Sequence, residues 1–195
     1  LRTVHKIGST TTTTDYCGNV IYENGTQKLL LTEEGYINLT GTQQYHYYLK
    51  DHQGNNRVVI NQSGTVEETN HYYPFGGVFG TTGNTQPYKY NGKEFDTKKG
   101  LNWYDYGARH YDTALGRFMT NDRFAEKYYS MSPYQYGANS PVVNIDVNGD
   151  SIRICTETQS FGHTWISVGE GSNMTVYSYG RYNGTNKGQI EALIL

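Results

Sequence analysis

Glycine set beside asparagine or serine punctuates this chain and limits what it can fold into. Asn24-Gly25, Gly54-Asn55, Ser63-Gly64, Gly83-Asn84, Asn91-Gly92, Asn148-Gly149 and Asn183-Gly184 all fit the pattern. Such pairs accept the positive φ of tight hairpin turns, and here they separate short runs of aromatic and β-branched residues. Strands are predicted over 19–22, 28–32, 45–49, 57–60 and 65–73, recurring roughly every 10 to 14 residues as in all-β folds. No segment before residue 112 reads as helix. Between 112 and 141 the β character thins, and 122–129 is expected to make one or two helical turns with the Asp122 carboxylate near the start, where the helix dipole favours it. Alternation returns over 151–155, 164–168 and 175–179, which sets a boundary near Asp150.

The apolar material is unusual. The chain has 20 Tyr, 6 Phe and 2 Trp among 195 residues, with a net charge of -2. A disordered chain would combine few aromatics with high net charge, so a packed β fold is expected, and the length suffices for a core. Sixteen basic against 18 acidic residues leave no broad footprint for phosphate, which argues against nucleic-acid binding by bulk charge. No apolar run approaches the roughly 20 residues needed to span a bilayer. Leu1 onward has neither an initiator Met nor an apolar signal core, so the chain reads as an excised fragment. Cys17 and Cys155 lie far apart with no metal spacing and read as isolated thiols. His46, His52, His71 and His110 show no mutual spacing or carboxylate company that suggests a metal, and no cofactor is implied.

A degraded internal repeat is present. Asp15-Tyr16-Cys17-Gly18-Asn19 followed by a strand and Asn24-Gly25 is echoed by Asp51-His52-Gln53-Gly54-Asn55 followed by a strand and Ser63-Gly64. A repeat of this kind buries its face only against neighbours, and an uncovered strand edge invites pairing with another chain, including self-association.

Seven further submotifs run in order. They are Tyr48 to Asn55 (YLKDHQGN), Tyr73-Pro74-Phe75-Gly76, Tyr90 to Asp96 (YNGKEFD), Gly100 to Tyr104 (GLNWY), Ala108 to Asp112 (ARHYD), Leu115 to Phe118 (LGRF) and Tyr134 to Val142 (YQYGANSPV). Together they resemble the RHS repeat-associated core domain that closes bacterial RHS/YD-repeat proteins, and Asp15 to Gly25 resembles a terminal YD repeat. The resemblance implies terminal repeat strands over 1–44, a core domain over 45–150 and the start of a variable, toxin-like region over 151–195. It further implies a β-hairpin spiral forming a hollow shell, with the core domain as a C-terminal plug containing short helical turns. The implied partners are the rest of the shell, the enclosed toxin and its immunity protein. The implied setting is secretion or delivery at a bacterial cell surface.

Many members of the family are also aspartic autoproteases that cut the chain between shell and toxin. Carried over by motif, the resemblance places the corresponding arginine at Arg109, the two aspartates at Asp122 and Asp146, and the scissile bond at Asp150-Ser151. Two neighbouring carboxylates cannot both ionise cheaply, so one keeps a proton as acid while the other activates water; a guanidinium holds their geometry. The chain departs from the family's D-P-x-G-L signature, with Val147 in place of Pro and Asp150 in place of Leu. A charge therefore occupies a position the family fills with an apolar side chain, and burying it unpaired is expensive. The plainer alternative is that Asp122 caps a helix, Asp146 makes an Asx turn with Asn148-Gly149, and Arg109 forms a structural ion pair.

In the tail, Gly162-His163 ahead of an alternating strand is similar to the His-bearing strand of papain-like hydrolases, with Cys155 a weak candidate nucleophile for His163 to serve. The plainer reading of His163 is a histidine at the start of a strand. Three functions follow: a shell-closing and delivery segment, a self-cleaving aspartic peptidase, and an aromatic-rich module for glycans or a cell envelope, since tyrosine rings stack on sugars as readily as they fill a half-wet β surface.

Overall fold

The computed structural model describes residues 1–150 and, beyond them, the backbone of four strands at 152–154, 164–168, 175–179 and 191–194. The expected mainly all-β architecture is what the chain adopts. It forms two compact units: Leu1–Tyr73 with Val78–Asn102, and Pro74–Gly77 with Trp103–Leu195.

The first unit is built on a nine-stranded antiparallel sheet in strict sequence order. Its strands are β1 (Arg2–Ile7), β2 (Thr10–Cys17), β3 (Val20–Glu23), β4 (Thr26–Leu31), β5 (Gly35–Asn38), β6 (Gln44–Lys50), β7 (Asn56–Asn61), β8 (Val66–Tyr72) and β9 (Val78–Thr82). Every connection is a hairpin, as the turn chemistry requires. At the β3–β4 turn, Asn24 and Gly25 take φ of 50° and 80°, the pair of positive values that matches the twist of the flanking strands. The sheet contains four strands beyond those predicted: β1, β2, β5 and β9. Strand β2 opens on five threonines, whose β-branching suits a strand although they show no apolar alternation. In β5, Gly35 lies so close to β6 that a Cβ would collide with the His46 carbonyl.

The two copies of the internal repeat diverge at their first residue. Asp15 sits within β2 and takes Arg2 at 2.6 Å, whereas Asp51 caps a loop through Oδ1, which accepts the backbone N–H groups of Gln53 and Asn55.

Ile21, Leu29, Tyr36 and Val59 form the apolar core of this unit, with Tyr16, Leu31, Tyr48 and Tyr88 packed against it. Beside it lies a buried polar network. Strand alternation turns Glu68 and Asn70 inward from β8, and Glu68 is fully buried. Its Oε1 accepts from Asn70 Nδ2 at 2.7 Å and from Lys89 Nζ at 2.5 Å, and its Oε2 accepts the Thr85 N–H at 2.8 Å. Burial is the largest single influence and pushes the Glu68 carboxyl upward. The hydrogen bonds from Asn70, Lys89 and Thr85 and the charge of Lys89 together outweigh it, so the carboxyl is held below its ordinary value. Strand β10 (Glu94–Asp96) and the 3-10 turns Tyr90–Gly92 and Lys98–Gly100 complete the unit.

The second unit contains the antiparallel strands β11 (Trp103–Asp105), β12 (His110–Asp112) and β13 (Arg117–Phe118), the 3-10 turns Ala125–Lys127 and Gly137–Asn139, and the pair β14 (Asn144–Asp146) and β15 (Ile152–Ile154). Strands β16 (Thr164–Val168), β17 (Thr175–Tyr179) and β18 (Glu191–Ile194) pair in order. The helical turns expected over 122–129 reduce to the one 3-10 turn at Ala125–Lys127. No side chain caps it at its N-cap residue, Phe124, whose N–H is accepted by the Asp122 carboxylate.

Tyrosine builds the core here. Tyr104, Tyr106, Tyr111, Phe118 and Tyr136 are buried, and Tyr106 meets Tyr111, Phe118 and Tyr136 edge-on at 5.6 to 5.7 Å. Their hydroxyls find partners inside: Tyr106 donates to Tyr136 at 3.1 Å, and Tyr111 donates to the Phe75 carbonyl at 2.9 Å. This is how a chain poor in aliphatic residues fills a core without stranding phenol groups.

Candidate functional site

The structure brings Arg109, Asp122 and Asp146 together within the second unit. Arg109 leaves the tight turn that joins β11 to β12, closed by the Tyr106 N–H on the Arg109 carbonyl at 3.1 Å. Its side chain runs inward across the aromatic core, with the guanidinium 3.8 Å from the Phe118 ring centre, an arrangement that favours a cation. Each arm of the guanidinium has a partner. Nε donates to the Gly149 carbonyl, Nη1 donates to the Pro133 carbonyl at 3.0 Å, and Nη2 reaches Asp122 Oδ2 at 3.0 Å and Asp146 Oδ2 at 3.7 Å. Burial pushes the Arg109 guanidinium below its ordinary value, against the opposing pull of Asp122, Asp146 and Asp150.

Both aspartates divide their oxygens in the same way. Asp122 Oδ1 accepts the Phe124 N–H at 2.7 Å, and Asp146 Oδ1 accepts the Gly149 N–H at 2.6 Å, while each Oδ2 faces Arg109. The Asx-type turn considered for Asp146 and the structural ion pair considered for Arg109 are therefore present. They coexist with a shared arginine, one nitrogen of which faces a carboxylate oxygen of each aspartate.

The segment from Asp146 to Asp150 is held against the Arg109 turn. The Ala108 N–H donates to the Asn148 carbonyl at 3.0 Å, and Gly149 adopts φ of 89° with no room for a side chain. Strand β14 pairs with β15 so that Asp146 faces Ile152, and Asp150 follows β14 outside either strand. The Asp150 side chain is 2% exposed and lies 2.5 Å from Arg123 Nη2. Ser151, Cys155 and His163, the other positions singled out from the sequence, lie outside the described residues.

With this geometry in hand, solved structures give the comparison. The crystal structure of TcdB2-TccC3 without the hypervariable C-terminal region matches 76% of this chain at a TM-score of 0.63 and 18% identity. TcdB2-TccC3-Cdc42 matches equally well at 20% identity, and a Photorhabdus luminescens Tc holotoxin pore carrying an Asp-to-Ala mutation in TccC3 matches at 0.61 and 19%. The matched part of this chain has the fold of a segment of those toxin-complex proteins. It spans 8% of their length. No family model and no curated protein matches the sequence. The expected mainly all-β fold is thus supported through structural likeness.

Two features of the site escaped the sequence reading. Arg123 and the Gly149 carbonyl belong to it, and the signal for Arg123 was available: a buried acid at 150 demands a cation, and Arg123 adjoins Asp122. Among the histidines, His46 has carboxylate company after all. It is buried, stacks on Tyr36 at 4.3 Å and lies 3.0 Å from Glu67 Oε2. Among the described residues, no group of three His, Cys, Asp or Glu side chains is arranged to hold a metal. A cavity of about 290 Å³ in the first unit is lined mainly by polar residues such as Thr14, Asn38, Thr85 and Lys89, and Phe95 is the one aromatic among its described lining residues.

Proposed function

We propose that the chain is a closing segment of a β-shell that encloses and delivers a variable C-terminal toxin, with repeat strands over 1–44, the core domain over 45–150 and the first part of the toxin-like region over 151–195. The observation that carries this reading is the sequential nine-stranded antiparallel meander, in a chain of which 76% matches TcdB2-TccC3 in fold. An open sheet of this kind leaves strands β1 and β9 as edges, which neighbouring shell strands would cover. The partners are the remainder of the shell, the toxin and its immunity protein, and the setting is a secreted or surface-delivered bacterial toxin complex. Protease protection tests it. In the natural polypeptide that carries these residues, the region after Asp150 should resist protease until the shell is unfolded; digestion of that region at the rate of an exposed linker would overturn the reading.

A second reading, self-cleavage at Asp150-Ser151, is favoured by the Arg109 cluster. Asp122 and Asp146 face one guanidinium, and the same arginine holds the Gly149 carbonyl, one residue before the bond to be cut. In the proposed step, one carboxylate takes a proton from water as it attacks the Asp150 carbonyl carbon. The other, protonated, passes its proton to the departing Ser151 nitrogen, and the peptide C–N bond breaks. Arg109 steadies the peptide and the charge shared by the pair.

A further inference from the structure

Asp150 stands apart from the other acids of the site. Asp122 and Asp146 each take a backbone N–H, whereas neither Asp150 oxygen has a hydrogen-bond partner among the described residues, although the side chain is 2% exposed. A buried carboxylate without hydrogen bonds is costly unless a counter-charge meets it. That counter-charge is Arg123. Its Nη2 lies 2.5 Å from Asp150 Oδ2, without the alignment of a hydrogen bond, while the side chain as a whole is 57% exposed and its guanidinium rests 4.8 Å over the Phe124 ring. Arg123 thus reaches from solvent over an aromatic face to an otherwise unsatisfied acid. Asp150 lies close enough to Arg109 for their charges to interact, but Arg109 is committed to Gly149, Pro133, Asp122 and Asp146.

We propose that Arg123 determines the specificity of the self-cleavage site, selecting an acidic residue on the carbonyl side of the scissile bond. The inference rests on the self-cleavage reading and names its substrate class: a peptide bond that follows a carboxylate side chain. Arg123 touches the residue whose carbonyl is attacked, so the chain supplies both the acid that is recognised and the cation that recognises it. The departure at 150 becomes half of one device, a charge at 150 answered by a charge at 123. The hydrolysis consumes one water, whose oxygen joins the Asp150 carbonyl carbon. Ser151 leaves as a free amine, and Asp150 becomes a new carboxyl terminus.

A cell-free translation of the 195-residue chain, sampled over time on denaturing gels with intact-mass assignment of the products, tests the proposal. The wild type should cut after Asp150. Arg123→Met should slow cutting at least tenfold, Arg123→Lys should stay within a few fold of wild type, and Arg123→Met with Asp150→Leu should recover most of the rate, since the double variant removes both charges. Recovery in the double variant separates lost recognition from lost folding. Arg123→Met cutting at the wild-type rate, or a double variant as slow as the single one, overturns recognition by Arg123 while leaving cleavage intact. An uncut wild type, or one cut at another bond, overturns cleavage at Asp150-Ser151 itself.

Discussion

Gly149 lies flat against Arg109. Its carbonyl accepts the Arg109 Nε–H, and a Cβ at position 149 would stand 2.9 Å from the Arg109 backbone nitrogen and 3.2 Å from the Tyr106 Cβ. Combined with φ of 89°, this contact makes glycine a requirement of the site. Gly149→Ala should destabilise the second unit by about 1 to 3 kcal/mol, the cost of a strained backbone, before any clash is counted. Urea unfolding followed by tryptophan fluorescence checks it; an unchanged midpoint would show that the segment tolerates displacement.

Removing Arg109 should cost more. Asp146 is 2% exposed and would lose its cation, and taking one partner from a buried ion pair typically costs about 3 to 5 kcal/mol. Arg109→Lys should not restore stability, because one ammonium cannot replace a planar fork that serves Gly149, Pro133 and two carboxylates. Thermal unfolding of both variants checks this, and a lysine variant with wild-type stability would contradict it.

Asp122→Asn keeps the size of the side chain and its acceptor for the Phe124 N–H, yet removes an ionisable group. Self-cleavage should fall at least a hundredfold, the lower range of what a positioned acid or base contributes, while the circular dichroism spectrum stays unchanged. Equal cutting in Asp122→Asn and wild type would assign the cluster a structural role alone.

The buried Glu68 makes the first unit sensitive to acid. Its carboxyl sits below the ordinary value when folded, so it contributes stability that is complete above the unfolded-state value of 4.5 and is lost as pH falls through the lower folded value. Stability measured by urea unfolding should therefore decline as pH is lowered beneath 4.5, and Glu68→Gln should flatten that part of the profile. A Glu68→Gln profile parallel to wild type would place the acid sensitivity elsewhere.

The legible part of the fold was the part written in turns. Asn24-Gly25 and Gly64 announce hairpins because few other residues accept their φ, and strands β3, β4, β6, β7 and β8 fall where predicted, to within a residue or two. Strand β1 stayed hidden because only Val4 and Ile7 of its six residues are apolar and they do not alternate, β2 because its threonines carry no apolar alternation, and β5 because it is short and begins on a glycine. Of the one or two helical turns expected over 122–129, one 3-10 turn forms at Ala125–Lys127, while Asp122 makes a local turn with Phe124 and an ion pair with Arg109. Motif order brought Arg109, Asp122 and Asp146 to notice, but only tertiary packing shows the shared nitrogen. Arg123 was missed because its role depends on Asp150, 27 positions away in sequence.

Electron cryomicroscopy of the natural polypeptide that carries these residues tests the shell most directly. A hollow β-shell is predicted, with strands β1 and β9 continued by neighbouring strands and the chain after Asp150 inside the cavity. An open sheet with uncovered β1 and β9 edges, and the chain after Asp150 in solvent, would contradict it.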